Sequence, residues 1–427
     1  MPTRSILLCG GAGYIGSHMA HWLAEHGYRV TVLDNLSTGH RDAVRWGELI
    51  LADLLDPAAL DQAFGGRRFD AVMHFCARSL VGESVSQPNA YYANNVAGTL
   101  NLLDAMHRHQ VGKLVFSSTA AVFGNPCTDC VDEEHDKQPI NPYGASKLMT
   151  ERILSDAAHA YGIRSVALRY FNAAGALPEH GIGEAHRPET HLIPNVLRAA
   201  LGQGPALKVF GDDYPTRDGT CIRDYVHVQD LAQAHGLALH YMDRADGAHA
   251  FNLGNGQGFS VREVIDCARQ VSGRPIPYDQ APRRAGDPAT LVAASGKARE
   301  LLGWQPRWTE LAPIHRQRVA LAPGAPALVP RTARLSPSAP RFDRPAAPAR
   351  VMAGHAPLLP FCIPPAVSPH AGGGHSTPQK QEFACLPSCS RPWAWTPPTL
   401  APTWVRGNGP PPPAPASSSR RTRPPAK

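Results

Sequence analysis

Gly10-Gly11-Ala12-Gly13-Tyr14-Ile15-Gly16 follows a short apolar run and precedes a segment with a helical pattern. Its glycines let the chain turn tightly and leave room for a pyrophosphate at the helix N-terminus, where free N–H groups and the helix dipole favour anions. Asp34 ends the next apolar run, 18 residues after Gly16. A carboxylate there accepts hydrogen bonds from both ribose hydroxyls and repels a 2′-phosphate. This stretch therefore predicts a Rossmann-like domain that binds NAD rather than NADP.

Further apolar runs alternate with helical patterns on the C-terminal side of this stretch. They are rich in Val, Ile, Leu and Phe, as strands buried on both faces of a parallel sheet require. With the run before the glycines they cover residues 5–9, 29–34, 70–75, 113–119 and 164–170. We therefore expect an α/β fold with a doubly wound parallel sheet over residues 1–172, which residues 226–253 rejoin, and a smaller mixed α/β domain over residues 173–312.

The end of the chain differs in composition. Of the 42 prolines in the 427 residues, 26 lie after residue 312, and Asp343 and Glu382 are the only acids there. The net charge of +7 thus belongs to this tail and does not indicate a nucleic-acid-binding core. We expect residues 313–427 to be disordered, because such a segment buries too little apolar surface. A shifted reading frame near Leu311, which would remove a closing helix, and a genuine extension that binds partners through its proline-rich segments are both open.

Cysteine usage and hydropathy bear on the compartment. No stretch of about 18 apolar residues is present, and no secretory leader is recognisable, so we expect no membrane span and a cytoplasmic protein with free thiols. Cys127-x-x-Cys130 with His135 is the pattern nearest to a zinc site. A structural zinc site needs four ligands and no second pair is near in sequence, so no metal is expected.

Tyr143-Gly144-Ala145-Ser146-Lys147 places a phenol and an ammonium four residues apart, on one face of a helix. An ammonium beside a phenol, and a cationic nicotinamide near it, would lower the tyrosine pKa and make it a usable base. Thr119 ends the fourth apolar run, at the sheet edge where ligands bind in such folds. A Tyr-x-x-x-Lys pair is common by chance, but after a dinucleotide-binding half it indicates a catalytic site.

These motifs together resemble the extended short-chain dehydrogenase/reductase superfamily. More specific strings resemble its UDP-glucose 4-epimerase family over residues 5–311, namely residues 10–18, 34–36, 81–85, 91–98, 169–172, 211–220, 222–228 and 281–287. The resemblance implies that Tyr143 takes the proton of the sugar 4-hydroxyl while NAD takes the hydride from C4. It also implies that Lys147 holds the nicotinamide ribose and that Thr119 bridges to the same hydroxyl.

The resemblance also implies two sets of binding residues. NAD would contact Gly10, Gly13, Tyr14, Ile15, Gly16, Asp34, Asn35, Leu36, Ser37, Thr38, Gly39, Asp53, Leu54, Phe75, Cys76, Ala77, Ser79, Asn94, Tyr143, Lys147 and Phe171. The UDP-sugar would contact Thr119, Asn172, His191, Leu192, Lys208, Val209, Phe210, Arg223, Arg284, Asp287 and Leu291. Guanidinium groups suit a diphosphate independently of the resemblance. The family implies a homodimer formed by the helices that start near Asn89 and Ala145.

The chain departs from the family pattern at three positions. Cys9 stands for a threonine and His191 for an asparagine, and Leu291 is of intermediate size where residue size governs acceptance of N-acetylated sugars. UDP-N-acetylhexosamine or UDP-pentose epimerases are therefore alternatives. Sugar-nucleotide dehydratases and decarboxylases rank lower, because the dehydratases need acids where this chain has Ala120 and Ala121. A non-catalytic NAD sensor would not need Tyr143 and Lys147.

Overall fold

A computed structural model describes residues 3–186, 188–203, 206–284 and 287–321. The predicted tail beyond Leu321 lies outside these residues. The strands are β1 Ser5–Cys9, β2 Arg29–Asp34, β3 Glu48–Leu51, β4 Ala71–His74, β5 Lys113–Thr119, β6 Cys130–Val131, β7 Arg164–Tyr170, β8 Asn172–Ala174, β9 Ala176–Leu177, β10 Ile182–Gly183, β11 Leu207–Phe210, β12 Ile222–Arg223, β13 Tyr225–His227, β14 Ala248–Leu253, β15 Phe259–Ser260, β16 Tyr278–Ala281 and β17 Thr290–Ala293.

The helices lie mostly between these strands. They are α1 Tyr14–Glu25, α2 Pro57–Phe64, α3 Val81–Ser86, α4 Pro88–Tyr91, α5 Gly98–Arg108, α6 Pro142–Tyr161, α7 Leu192–Ala200, α8 Val228–Tyr241, α9 Val261–Ser272 and α10 Leu311–Leu321. Tyr92–Ala97 and Ala298–Leu302 are π-helical. Short 3₁₀ turns cover Arg41–Ala43, Ala120–Phe123 and Pro178–His180. Within the described residues, no helix is both long and apolar enough to cross a membrane.

Seven parallel strands form the central sheet in the order β14-β7-β5-β4-β1-β2-β3. The predicted α/β fold with a doubly wound parallel sheet is confirmed. β3 was not predicted, since its apolar stretch covers only Leu49 to Leu51 and its residues are half-buried or exposed at the sheet edge. Because all seven strands run in one direction, Cys9, Asp34, His74 and Thr119 end at the same edge of the sheet.

Two apolar layers cover the faces of this sheet. On one face, α1 and α8 pack over buried residues that include Ile6, Leu8 and Val115. On the other face, buried residues of α5 and α6 pack over Leu7 and Leu114. Burial on both faces explains why the predicted runs are largely apolar rather than strictly alternating.

The second domain has its own core, formed by the inner faces of α7, α9 and α10 with β11 and β13. α10 contributes buried Leu311, Ile314 and Val319. The expectation that the folded pattern ends before residue 313 is therefore wrong, and a closing helix is present up to Leu321. This helix was not predicted because Pro313 suggested the end of helical structure. Proline is nevertheless tolerated in the first turn of a helix, where a missing N–H costs nothing.

Candidate active site

The glycine loop between β1 and α1 is built for close approach. Gly10 has φ +83°, and a Cβ there would lie 2.7 Å from the carbonyl carbon of Phe75. A Cβ on Gly16 would lie 2.1 Å from the Gly10 carbonyl oxygen, so only glycine lets α1 start this close to the loop. Within the described residues, α1 has neither a side-chain cap nor an acid in its first turn, which leaves its N–H groups for an anion.

Asp34 ends β2 beside this loop and fixes its shape. Oδ2 accepts a hydrogen bond from the Ala12 N–H at 2.9 Å, and Oδ1 accepts one from the Leu36 N–H at 2.8 Å. Each carboxylate oxygen keeps a second lone pair, to which a ribose hydroxyl can donate. The next loop is ordered in the same way, because Asn35 Nδ2 donates to Asp53 Oδ2 at 2.8 Å. These residues fit the adenosine half of NAD.

Tyr143 lies in the first turn of α6, opposite the end of β5. The side chain of Asn141 caps the helix by accepting a hydrogen bond from the Gly144 N–H at 2.8 Å. A Cβ on Gly144 would lie 2.3 Å from the Ala121 carbonyl oxygen, so glycine here lets α6 pack directly on the segment after Thr119. This packing places the Tyr143 phenol beside Thr119, whose side chain lowers the pKa of Tyr143 through a hydrogen bond. Two of the three predicted catalytic residues are thus in contact.

Lys147 lies one turn further along α6 and is buried. Its Nζ donates to the carbonyl oxygen of Ser117 at 2.7 Å and lies 4.6 Å from the centroid of the Phe116 ring. Burial lowers the pKa of Lys147 to about 7, an effect that Cys76 and Glu151 partly oppose. The ammonium thus sits under the strand ends, held by backbone and by an aromatic ring.

The predicted effect of Lys147 on the pKa of Tyr143 stays a prediction, because it includes the charge of a bound nicotinamide. Burial raises the pKa of Tyr143, and the group that lowers it is the hydrogen bond with Thr119. The ammonium of Lys147 is instead directed at Ser117. The phenol therefore remains a weak base until a further positive charge, such as a cationic nicotinamide, lies beside it.

Two buried groups that sequence inspection missed hold these residues in place. Asn95 Nδ2 donates to Ser146 Oγ at 2.9 Å, and its Oδ1 accepts from the Arg78 N–H at 2.9 Å, which joins α6 to the segment after β4. Glu151 accepts from Ser118 Oγ at 2.5 Å and pairs with Arg169 at 2.6 Å. The motif around Lys147 includes neither partner, because both contacts join segments far apart in sequence.

The other predicted NAD contacts line the sheet edge between these two groups. Phe75 packs on the face covered by α1, whereas Cys76 packs on the opposite one. Asn94 donates through Nδ2 to Asn95 Oδ1 at 2.9 Å. The Tyr14 hydroxyl does not face the loop but donates to the Gly175 carbonyl oxygen at 2.8 Å, so it ties α1 to the second domain. Of the remaining predicted contacts, Leu54 is buried. The others are half-buried or exposed, and they are Ile15, Ser37, Thr38, Gly39, Ala77, Ser79 and Phe171.

The predicted substrate residues of the second domain fall into charged and apolar groups. Arg223 pairs through Nη2 with Asp287 Oδ1 at 2.5 Å, and the Arg284 guanidinium lies 4.0 Å from the centroid of the Phe210 ring. Lys208 is exposed, whereas Val209 is buried in the core, which leaves only its backbone for a ligand. This wall therefore offers two guanidinium groups and an aromatic face.

Leu291 lies in β17 and faces the catalytic half. It packs with Phe171 on a small cluster that contains Val122 and Phe123, directly after Thr119. Asn172 donates through Nδ2 to the Asp224 carbonyl oxygen at 2.9 Å, in register with Tyr225. His191 and Leu192 open α7, and the His191 imidazole pairs with Glu189 at 2.7 Å.

Comparison with known proteins identifies the family. The model of the NAD dependent epimerase/dehydratase family matches residues 6–254. The chain is 53% identical over 307 residues to the UDP-glucose 4-epimerase of Halalkalibacterium halodurans, across 72% of this chain and 92% of that protein.

Solved structures give the same result. The UDP-glucose 4-epimerase of Brucella ovis in complex with NAD is 48% identical with a TM-score of 0.72, across 74% of this chain and 97% of that one. The corresponding enzyme of Bifidobacterium longum in complex with NAD⁺ and UDP is 37% identical with a TM-score of 0.71, across 74% of this chain and 98% of that one. The resemblance found in the sequence is thus confirmed. The chain is an NAD-dependent epimerase and belongs to the NAD dependent epimerase/dehydratase family, among the UDP-glucose 4-epimerases.

Proposed function

We propose that the protein interconverts UDP-glucose and UDP-galactose through a 4-keto sugar. The observation that carries this proposal is the packing of α6 on the end of β5, where Lys147 Nζ donates to the Ser117 carbonyl oxygen at 2.7 Å and Tyr143 lies beside Thr119, at the sheet edge that also carries the glycine loop. To remove the proton of a sugar hydroxyl, an enzyme needs a base next to it. A second hydroxyl beside that base can hold the sugar oxygen in place. Ala120 and Ala121 follow Thr119, so this wall lacks the acids that a dehydratase would use.

Tyr143 acts as the base in this proposal. Its phenolate takes the proton of the sugar 4-hydroxyl, and Thr119 holds the same oxygen in place. When bound, NAD would supply the hydride acceptor for C4 and then the hydride donor for the other face of the keto sugar. Lys147 holds the nicotinamide ribose from its buried position under the strand ends. Tyr143 then returns the proton to the oxygen, so the enzyme ends each cycle unchanged.

The second domain would hold the nucleotide. Arg223 and Arg284 offer guanidinium forks to a diphosphate, which would replace Asp287 as the partner of Arg223. The Phe210 ring and the backbone of Lys208 and Val209 lie on the same wall. The remaining contacts would come from Asn172, His191, Leu192 and Leu291. Because Leu291 is of intermediate size, UDP-N-acetylhexosamines are the second candidate substrates.

An exposed apolar face supports a homodimer. Tyr92, Val96 and Leu100 continue along the π-helical turn and α5, and Met149 lies beside them on α6. Leu100 and Met149 are each 47% exposed, which is unusual for large apolar side chains grouped on one face. A second copy placed on this face would bury them in a four-helix bundle.

We also propose a cytoplasmic role in galactose metabolism. The thiols of Cys9, Cys76, Cys127, Cys130, Cys221 and Cys267 are free, as expected in a reducing compartment. Fractionation of the source cells with an antibody to this chain tests the location, and recovery outside the cytoplasmic fraction would contradict it.

The reaction is tested by incubating the purified chain with UDP-galactose without added NAD. We expect UDP-glucose to form, because the cofactor is regenerated in each cycle and stays bound. Tyr143→Phe should lower kcat by roughly 10²- to 10⁴-fold, the usual contribution of a general base. Conversion of UDP-N-acetylgalactosamine but not UDP-galactose by NAD-loaded protein would move the assignment to the second candidate. A Tyr143→Phe variant with full activity would remove Tyr143 from the mechanism.

A further inference from the structure

Three potential metal ligands meet between α1 and the 3₁₀ turn Pro178–His180. His21 and Glu25 are four residues apart on this helix, and His21 Nε2 lies 3.5 Å from Glu25 Oε1. His180 reaches the same place from the 3₁₀ turn of the second domain, and its ring centroid lies 4.3 Å from that of His21. One ligand atom from each residue lies within 4.8 Å of the other two.

We propose that His21, Glu25 and His180 bind a divalent transition metal, of the class of Zn²⁺. Two imidazoles and one carboxylate are a common ligand set for such ions. Bonds of about 2.0–2.2 Å in tetrahedral geometry place ligand atoms about 3.3 Å apart. The pair on α1 already has this spacing, and a change in the side-chain torsions of His180 completes it. Water would occupy the fourth position.

The charges around the cluster favour a cation. Glu25 and Glu179 both act on His21 as negative charges. The carboxylates of Glu25 and Glu179 outweigh the one guanidinium beside them, that of Arg45, so the cluster attracts a divalent cation.

Neighbouring groups hold the two imidazoles in place. The Trp46 ring meets His21 edge-to-face with centroids 4.7 Å apart, and His180 at 5.7 Å. Arg45 Nη1 donates to the His180 carbonyl oxygen at 2.5 Å, which fixes the backbone of the 3₁₀ turn. The backbone that carries His180 is therefore fixed, and only the side-chain torsions of His180 change when a metal binds.

The proposed site joins the two domains next to a cavity that lies beside the glycine loop. α1 starts at Tyr14, directly after the glycines, and residues 181–186 follow His180 along the chain. Both segments line one cavity of about 170 Å³. A metal bound to His180 and α1 would thus connect the two walls of this cavity and oppose their separation.

Zinc binding to the full chain tests this proposal. The purified protein would be stripped with EDTA, dialysed against micromolar Zn²⁺ and analysed for zinc per chain, and its Tm measured with and without Zn²⁺. The variants are His180→Ala and Glu25→Gln, both at accessible positions. His159→Ala is the control, because it removes an exposed histidine on α6.

We expect the parent and His159→Ala to hold one more zinc per chain than His180→Ala and to gain Tm with Zn²⁺. Each loss of a ligand should weaken binding by at least about 100-fold, since second-shell groups alone are worth roughly 10- to 100-fold. Zinc held by other residues is the same in all four proteins and cancels in the difference. Equal Tm values in EDTA show that the variants are folded. Equal zinc content and equal Tm gain in all four proteins would overturn the proposal.

Discussion

At the scale of single residues, the hydrogen bond between Thr119 and Tyr143 sets how strong a base the phenol is. Removing it with the isosteric Thr119→Val should raise the pKa of Tyr143, because this bond is the group that lowers it against the effect of burial. The rise of kcat with pH should then move to higher pH, and kcat at pH 7 should fall by roughly tenfold for each unit of that shift. Rate profiles between pH 6 and 10 measure this.

Thr119→Ser is the matched control for this prediction. It keeps the hydroxyl and should leave the pH profile in place. A Thr119→Val profile that falls uniformly without shifting would mean that Thr119 binds the sugar but does not act on Tyr143.

The sequence predicts candidate site residues that are neighbours in sequence and misses the groups that hold them in place. Tyr143 and Lys147 are one helical turn apart, so their spacing alone shows a shared face. Asn95 reaches Ser146 from another helix, and Glu151 contacts a residue of β5, so no local pattern reveals either. The lowered pKa of Lys147 has the same origin, because burial is a property of the fold. The three ligands of the proposed metal site are also split between distant segments.

At the scale of elements, α10 carries a buried group that costs stability. His315 is fully buried in this helix, and among the described residues neither ring nitrogen has a hydrogen-bond partner. Burial lowers its pKa to about 4, whereas in the unfolded chain it titrates near 6.5. Below pH 6.5, His315 therefore binds a proton in the unfolded chain but stays neutral in the folded protein. The free energy of unfolding therefore decreases as the pH falls from about 6.5 to 4.

His315→Leu should remove this loss. We expect a higher free energy of unfolding at pH 7, by about 1–3 kcal/mol, because a buried polar group without a partner is gone. The gain should grow by about 2 kcal/mol at pH 5, from the difference between the two pKa values. Urea denaturation at both pH values measures it. A gain that is the same at pH 5 and pH 7 would show that His315 is protonated in the folded protein.

The apolar face on α5 and α6 gives a second prediction at this scale. Leu100→Asp combined with Met149→Asp places charges where the proposed dimer buries apolar surface, so the variant should sediment as a monomer while the parent sediments as a dimer. Leu301→Asp is the control, because Leu301 is 38% exposed and lies in the π-helical turn that contacts α8, on the other face of the sheet. A parent that is monomeric at micromolar concentration would contradict the proposal.

At the scale of the whole molecule, the sheet could be predicted because its strands are buried on both faces and therefore read as continuous apolar runs. β3 was not predicted because it is an edge strand whose apolar run is short, from Leu49 to Leu51. α10 was not predicted because three of its buried residues, Leu311, Ile314 and Val319, alternate with proline and basic residues. The shorter strands of the second domain depend on contacts such as the pairing of β12 with β17, which no local pattern encodes.

The central claim is that hydrogen leaves C4 of the sugar as a hydride and returns to the same carbon on its other face. The most direct measurement uses UDP-galactose with deuterium at C4, incubated with the protein in ordinary water without added NAD. The account predicts UDP-glucose that keeps its deuterium at C4, because the hydride stays on a bound cofactor and does not exchange with solvent. Loss of the deuterium to water would show proton removal from carbon and would contradict the account.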